Sequence, residues 1–251
     1  MNDYLEIKNL YFSYNDDNQG IKEPRKVIDN ISFNIQKKSL LCILGPSGCG
    51  KTTLLKIIAS LVPPSAGKVL FDGKVLKNPD AGRILIFQDD NQLFPWLNVI
   101  ENISMPLRLS NINGREKIAL DIINKVHLTG FENYYPHRLS GGMKKRAGIA
   151  RALATSPDLL LMDEPFGSLD AQTRKKLHKL VLEIKEKTDL TVIFVTHDIH
   201  EAIFLATDIA VMGKSGTIAY QTKNNFSGIS DFSVTGFSDF YNKLYSFIDE
   251  P

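Results

Sequence analysis

Hydrophobic and polar positions set the order of elements along the chain. Residues 4–14 alternate, with Leu5, Ile7 and Leu10 recurring, and predict a strand. Residues 16–24 are polar, include Gly20 and Pro24, and read as a loop. A second strand is expected over 27–35, from Ile28, Ile31, Phe33 and Ile35. Residues 39–44 form a short continuous apolar run, the pattern of a strand buried on both faces. Leu54, Leu55, Ile57, Ile58 and Leu61 then fall at helical spacing, and Pro63-Pro64 is expected to end that helix. Residues 69–71 and 75–76 flank Asp72-Gly73 and predict a hairpin.

Residues 83–87 read as another buried strand. From about residue 92 to 156 the pattern is helical, with helices expected over 102–109, 116–126 and 143–154. Strands return at 159–162, 192–195 and 209–212. Between the first two of these, Leu177, Leu180, Val181 and Ile184 share one helix face. The tail after Asn224 is rich in Ser, Gly and Phe and has no clear period. Buried strands alternating with helices imply an α/β fold around a mostly parallel sheet. An antiparallel β-rich start precedes it, and a helical segment is inserted.

Composition narrows the class without assigning a function. The 251 residues are 43% hydrophobic, enough for a sizeable core. Thirty Lys and Arg against 28 Asp and Glu leave a net charge of +2, which argues against bulk-charge binding to nucleic acid. Two cysteines, Cys42 and Cys49, exclude a disulfide scaffold and fit a reducing compartment. The longest apolar runs are about five residues, far short of the roughly 20 that span a membrane. Residues 1–4 show no basic stretch leading into an apolar one, so no secretory signal is expected.

Three segments carry chemistry. Gly45-Pro46-Ser47-Gly48-Cys49-Gly50-Lys51-Thr52 has the spacing of a phosphate-binding loop between a buried strand and a helix. Its glycines let backbone N–H groups turn inward around phosphate oxygens, and the helix N-terminus adds partial positive charge. Lys51 is placed to bridge the β- and γ-phosphates, and the Thr52 hydroxyl to bind Mg²⁺. Residues 159–164 form an apolar run ending in Asp163 and Glu164, at the carboxyl end of a strand where α/β folds bind ligands. Asp163 is suited to hold Mg²⁺, and Glu164 to polarise an attacking water. Leu139-Ser140-Gly141-Gly142-Met143 precedes a helix bearing Lys144, Lys145, Arg146 and Arg151. Ser140 is a helix cap in the making, and the glycines leave N–H groups open for a second anion site.

Together these segments resemble the ATP-binding cassette (ABC) ATPases, over almost the whole chain. The family signature corresponds to residues 139–142, its glutamine to Gln88 after Ile84-Leu85-Ile86-Phe87, and its Ser-Leu-Asp turn to Ser168-Leu169-Asp170. His197 matches its histidine, and Tyr14 its N-terminal aromatic residue, with Phe12 and Tyr11 as alternative rings. The resemblance implies a P-loop NTPase fold with a RecA-like, mostly parallel core. An antiparallel β subdomain would share that core over about 1–88 and 157–225. The helical subdomain would span about 89–156, within one domain of residues 1–225, followed by a short tail at 226–251.

The resemblance also implies a mechanism. Two such domains pair head to tail and enclose two ATP molecules, each between the loop of one chain and the signature of the other. Nucleotide would contact Tyr14, residues 45–52, Thr53, Ser140, Gly141, Gly142 and Asp170. Mg²⁺ would be held by Thr52, Gln88 and Asp163, and catalysis would rest on Glu164, His197, Gln88 and Lys51. His197 would bond the γ-phosphate and position Glu164, while Asp170 would couple the two sites. Met143 stands where many members have Gln, and a thioether cannot donate the bonds an amide makes. Cys49 reads as a loop filler whose thiol could meet electrophiles.

Residues 87–99, 139–146 and 163–174 look like those of importer ATPases for nitrate, sulfonates, taurine and related solutes. That implies a separate membrane permease, a separate solute-binding protein, no nucleic acid, and a place on the cytoplasmic face of the membrane. Leu93, Phe94, Pro95, Trp96 and Leu97 form the apolar cluster where such a permease would dock, or else part of the subdomain core. An exporter or lipid-transporter ATPase, and a soluble ABC ATPase acting on DNA or ribosomes, are the competing readings.

Overall fold

A computed structural model describes residues 4–14, 25–89, 92–229 and 233–249. The loop expected at 16–24 lies outside the described residues, as do Asp90, Asn91 and Phe232. The elements begin with β1 (Leu5–Tyr14), β2 (Arg25–Ile35), β3 (Leu40–Leu44), α1 (Lys51–Ile58), β4 (Ala66–Phe71) and β5 (Lys74–Val75). They continue with β6 (Arg83–Ile86), α2 (Val99–Leu109), α3 (Arg115–Lys125), α4 (Gly141–Leu153), β7 (Leu159–Asp163) and α5 (Ala171–Lys187). The last are β8 (Thr191–Thr196), α6 (Ile199–Leu205), β9 (Asp208–Met212), β10 (Ile218–Lys223) and α7 (Phe237–Asp249). The chain divides into two compact units, residues 1–79 with 191–251, and residues 80–190.

The first unit holds two kinds of sheet. β2-β1-β4-β5 is antiparallel throughout. Its hairpin turn places Asp72 and Gly73 at φ 48° and 72°, the two left-handed positions that match strand twist in a tight turn. β1 and β2 slip register around Asn9 and Asn30, which carry φ 47° and 51°. The Asn9 amide donates to Ser32 Oγ at 2.8 Å, so the bulged backbone keeps a partner. In the other sheet, β3 pairs in parallel with β8 on one side and β9 on the other. β10 adds an antiparallel edge to β9. All five residues of β3 and all six of β8 are buried, as a strand flanked on both sides and covered on both faces must be.

The second unit pairs β6 and β7 in parallel and carries α2 through α5. Asn98 and Glu101 form a reciprocal capping box at the start of α2. In α5 the expected stripe of Leu177, Leu180, Val181 and Ile184 is buried. The protein is thus α/β, with a mixed sheet containing parallel strands beside an antiparallel one.

Three local expectations shift. α1 starts at Lys51 and stops at Ile58, before Pro63-Pro64. Ser60 turns left-handed at φ 58°, and the Leu61 and Ser60 amides donate to the Lys56 and Ile57 carbonyls, a Schellman end that needs no proline. β10 was hidden because its alternation of half-buried and exposed residues lacks an apolar run. α7 was hidden in a tail whose Ser and Gly content masked the spacing of Phe237, Phe240, Tyr241 and Leu244.

Gly67 shows how tightly the antiparallel sheet is drawn. It has φ +84°, and an added Cβ would stand 2.1 Å from the Asn9 carbonyl oxygen. Gly67→Ala is expected to lower unfolding free energy by about 2 kcal/mol or more through overpacking against backbone. Urea denaturation measures this, and an unchanged midpoint would contradict it.

Candidate functional site

The phosphate-type loop is seated in the first unit by backbone contacts. An added Cβ at Gly45 would lie 2.5 Å from the Met212 carbonyl oxygen, at the end of β9. Gly50 has φ +105°, and a Cβ there would meet the Val27 carbonyl oxygen of β2 at 2.9 Å. Gly48 is left-handed at φ +81° with open space around it. Two of the three glycines are therefore fixed by crowding, and two by backbone geometry. Lys51 is only 5% exposed, and its ammonium donates to the Gly45 and Pro46 carbonyls at 2.9 and 2.8 Å. The cation thus lies along the inside of the loop, at the N-terminus of α1, where partial positive charge favours an anion. The Thr52 hydroxyl-bearing side chain is exposed beside it.

Cys49 is only 4% exposed. The thiol is packed into the loop, so the expected encounter with electrophiles loses its basis. Cys42, in β3, is pushed well above the usual thiol range, first by burial and then by the charges of Glu201 and Asp198. Tyr14 is exposed at the end of β1, and its hydroxyl lies 3.4 Å from Thr53 Oγ1 on α1. Phe12 is buried in the sheet, its ring edge-on to Tyr14 at 4.8 Å, and Tyr11 is half-buried. Of the three rings considered, Tyr14 alone is exposed, and it sits beside the start of α1. His197 is exposed at the end of β8, between Thr196 and the α6 cap Asp198.

The second unit gathers the other residues. Asp163 is buried at the last position of β7. Glu164 follows with φ 39°, a left-handed conformation that costs a non-glycine residue about 1 kcal/mol or more. Its carbonyl accepts from Gly167 N at 3.4 Å, closing the turn. Ser140 caps α4 by accepting from Met143 N at 3.3 Å. The two signature glycines face the start of α5: added Cβ atoms would meet Leu169 Cδ2 at 3.3 Å and Thr173 Cγ2 at 2.6 Å. The signature and the Ser-Leu-Asp turn are therefore packed directly together. Asp170 caps α5 by accepting from Gln172 and Thr173 amides at 3.0 and 2.9 Å. Hydrogen bonding to Thr173, side chain first and then backbone, holds its carboxyl below the usual range. Gln88 is exposed, and its carbonyl accepts from Lys145 Nζ at 3.2 Å.

The apolar cluster after Gln88 is split between core and surface. Leu93 is buried, whereas Trp96 is 69% exposed. Asn102, fully buried on α2, explains how the turn is held. Its amide nitrogen donates to the Phe94, Leu97 and Asn98 carbonyls, and its oxygen accepts from Phe94 N. Below, the Arg151 guanidinium stacks on Phe94 at 5.0 Å, and Phe94 packs on Trp96 at 5.4 Å. Burial holds the Arg151 pKa below its ordinary value. Asn102 escaped the sequence reading, although it stands in the apolar stripe of Val99, Ile103 and Leu107. A polar residue in such a stripe is the signal that marks it.

A loop of this geometry between a buried parallel strand and a helix defines a nucleotide-binding protein of the P-loop type. The family model described as ABC transporter matches residues 28–167. The chain belongs to the ABC transporter family, as an ATP-binding protein with ATP hydrolase activity. An ABC transporter ATP-binding protein of Methanocaldococcus jannaschii is 43% identical over 90% of this chain and 85% of its own. The taurine import ATP-binding protein TauB of Rhizobium johnstonii is 46% identical over 83% of this chain and 80% of its own. The aliphatic sulfonates import ATP-binding protein SsuB of Bacillus cereus is 46% identical over 80% of this chain and 79% of its own. Among solved structures, a dimeric post-hydrolysis state of the ATP-binding cassette MJ0796 bound to ADP and Pi is 32% identical. It has a TM-score of 0.75 over 87% of this chain and 98% of that one. CbiO1 of Clostridium perfringens, part of the ABC transporter complex cbiONQ, is 27% identical, with a TM-score of 0.79 over 89% of each chain.

Asn102→Leu should cost about 2 kcal/mol, because it leaves buried carbonyls and an amide without partners. It should also loosen the 94–98 turn. Trp96 is the sole tryptophan, so its fluorescence anisotropy reads the loop directly. An unchanged anisotropy and unfolding midpoint would refute the stapling role.

Proposed function

We propose that the protein is the ATP-hydrolysing subunit of an importer for a small solute such as taurine, an aliphatic sulfonate, nitrate or a related compound. The observation that carries this reading is the identity of 40–46% to proteins named as taurine or aliphatic sulfonates import ATP-binding proteins, over 75–89% of the chain. A separate membrane permease supplies the span, and no helix among the described residues is long and apolar enough to cross a membrane. The subunit then works at the cytoplasmic face, with a separate solute-binding protein delivering the cargo and nucleic acid playing no part. Residues 1–225 act as one cassette, with a helical subdomain at about 89–156 and a tail at 226–251.

The subunit works as a head-to-tail pair, in line with the dimeric state named for MJ0796. Residues 45–53 take the phosphates of ATP, with Lys51 leaving the Gly45 and Pro46 carbonyls to bridge β- and γ-phosphates. Tyr14 stacks on adenine, which fits its exposed ring beside Thr53. Ser140, Gly141 and Gly142 serve the γ-phosphate of the partner's nucleotide, while Asp170 couples the two sites. Met143 has no side-chain amide to add to that contact. Glu164 polarises the attacking water from the strained turn that follows β7. His197 bonds the γ-phosphate.

Thr52, Gln88 and Asp163 offer a hydroxyl, an amide oxygen and a carboxylate. This all-oxygen set suits Mg²⁺, which takes few protein ligands and completes its shell with phosphate and water. Bound there, the ion would neutralise phosphate charge. The described residues contain no cluster of three His, Cys, Asp or Glu, so a softer metal has no comparable set.

Glu164→Gln should slow turnover by a hundredfold or more, roughly the worth of a general base, and trap an ATP-bound dimer detectable by gel filtration. Turnover at the wild-type rate would remove Glu164 from this role. Trp96→Ala should leave nucleotide binding intact but uncouple uptake in vesicles carrying permease and binding protein, since its exposed ring is a ready anchor for the permease. Normal assembly with wild-type transport would rule that out. Co-purification with the permease and stimulation by a loaded binding protein would separate import from export and from a soluble role.

A further inference from the structure

The tail grips α6 at both ends, and α6 holds His197. At the helix start, Asp198 accepts from the His200 and Glu201 amides at 2.8 and 3.4 Å. Thr196 Oγ1 donates to buried Glu201 Oε2 at 2.6 Å and accepts from Asp198 N at 3.0 Å. The residues on either side of His197 are thereby bonded to the first turn of α6. That helix has only seven residues, too few to hold an orientation alone. At its far end, buried Asn224 donates to the Ile203 and Ala206 carbonyls, both at 2.7 Å, and Gly228 N donates to the Phe204 carbonyl. These bonds satisfy terminal carbonyls that the helix cannot satisfy itself.

At the near end, α7 supplies an aromatic seat. The His200 ring stacks on Phe237 with centroids 6.2 Å apart and planes at 11°, and lies 4.9 Å from Tyr241. Phe237 is buried against Phe226, which also contacts Phe240. The other end of α7 is pinned to β10. Phe247 stacks on Tyr220 at 4.5 Å and 6°, and Lys243 Nζ lies 4.8 Å over the Tyr220 ring. That ammonium also lowers the Tyr220 pKa, chiefly through a hydrogen bond.

We propose that His200 is a positioning residue for ATP hydrolysis: seated on Phe237 and Tyr241, it fixes the first turn of α6 and hence His197. This rests on the reading of His197 as the γ-phosphate contact. The seat on Phe237 and Tyr241 is made by the flat face of the His200 ring, so an aromatic replacement should serve. Its ring faces Phe237 and Tyr241 of α7, outside residues 45–53 proposed to take ATP, so its removal should act on the chemical step and spare binding.

The test uses the full chain and steady-state ATP hydrolysis. His200→Ala should lower kcat about tenfold, the scale of a modest misplacement of a catalytic group, with KM for ATP changed less than about twofold. His200→Phe should restore most of the loss, and Tyr241→Ala should reproduce it without adding to it in the double variant. His197→Ala is measured in parallel. Should it retain full turnover, the reading of His197 fails, and the positioning proposal with it. Should it lose turnover while His200→Ala keeps its kcat, the positioning proposal alone fails. A rise in KM matching the fall in kcat, or no rescue by Phe, would make His200 merely structural and likewise overturn it.

Discussion

The closeness of backbone to backbone around the phosphate-type loop is the constraint on which the rest depends. Gly45 stands against the Met212 carbonyl, and Gly50 against the Val27 carbonyl, at distances no Cβ tolerates. One carbonyl belongs to the end of β9 and the other to β2 of the antiparallel sheet. The loop is therefore clamped by strands far apart in sequence, and the crowding fixes the direction in which its N–H groups and Lys51 point. β3 must be buried throughout for this to work, because only a strand hydrogen-bonded on both sides delivers the loop to a fixed place.

The same economy recurs in the second unit. The signature glycines are crowded by Leu169 and Thr173. Close packing at the start of α4 thus requires small residues there. Ser140 and Asp170, each capping the helix that follows it, hold the two segments at their turns. Glu164 shows the converse. Its left-handed backbone is unfavourable for a side-chain-bearing residue, and the surrounding fold must over-determine it for it to persist. The apolar turn around Trp96 is likewise held from beneath, by Asn102 and the Arg151–Phe94 stack, while its ring stays in solvent.

Much of the architecture was legible because the signals were local. β3, β7 and β8 are unbroken apolar runs, and the α5 stripe repeats at helical spacing. Asp72-Gly73 marks its hairpin because only a tight left-handed pair joins strands there. α7 and β10 went unread for a physical reason. β10 has no apolar run and α7 follows a stretch rich in Ser and Gly, and each is stabilised by contacts with distant segments, such as Tyr220 with Phe247 and His200 with Tyr241. Asn102 is marked in the sequence only as a polar residue in an apolar stripe; its main-chain partners at Phe94, Leu97 and Asn98 are set by the fold of the turn.

By itself the sequence determined the chemistry available: a loop for phosphates, two acids after a buried strand, a second glycine-rich helix start, and an ABC family membership carried by their order. These are properties of short segments, in which residue type and spacing suffice. Only the tertiary structure decided which side chains are displayed and which are spent on support. It buried Cys49 and Phe12, exposed Tyr14 and Trp96, strained Glu164, and turned an unpatterned tail into a brace on α6. Exposure and strain arise from what packs against a residue, and those neighbours come from parts of the chain that local spacing does not connect.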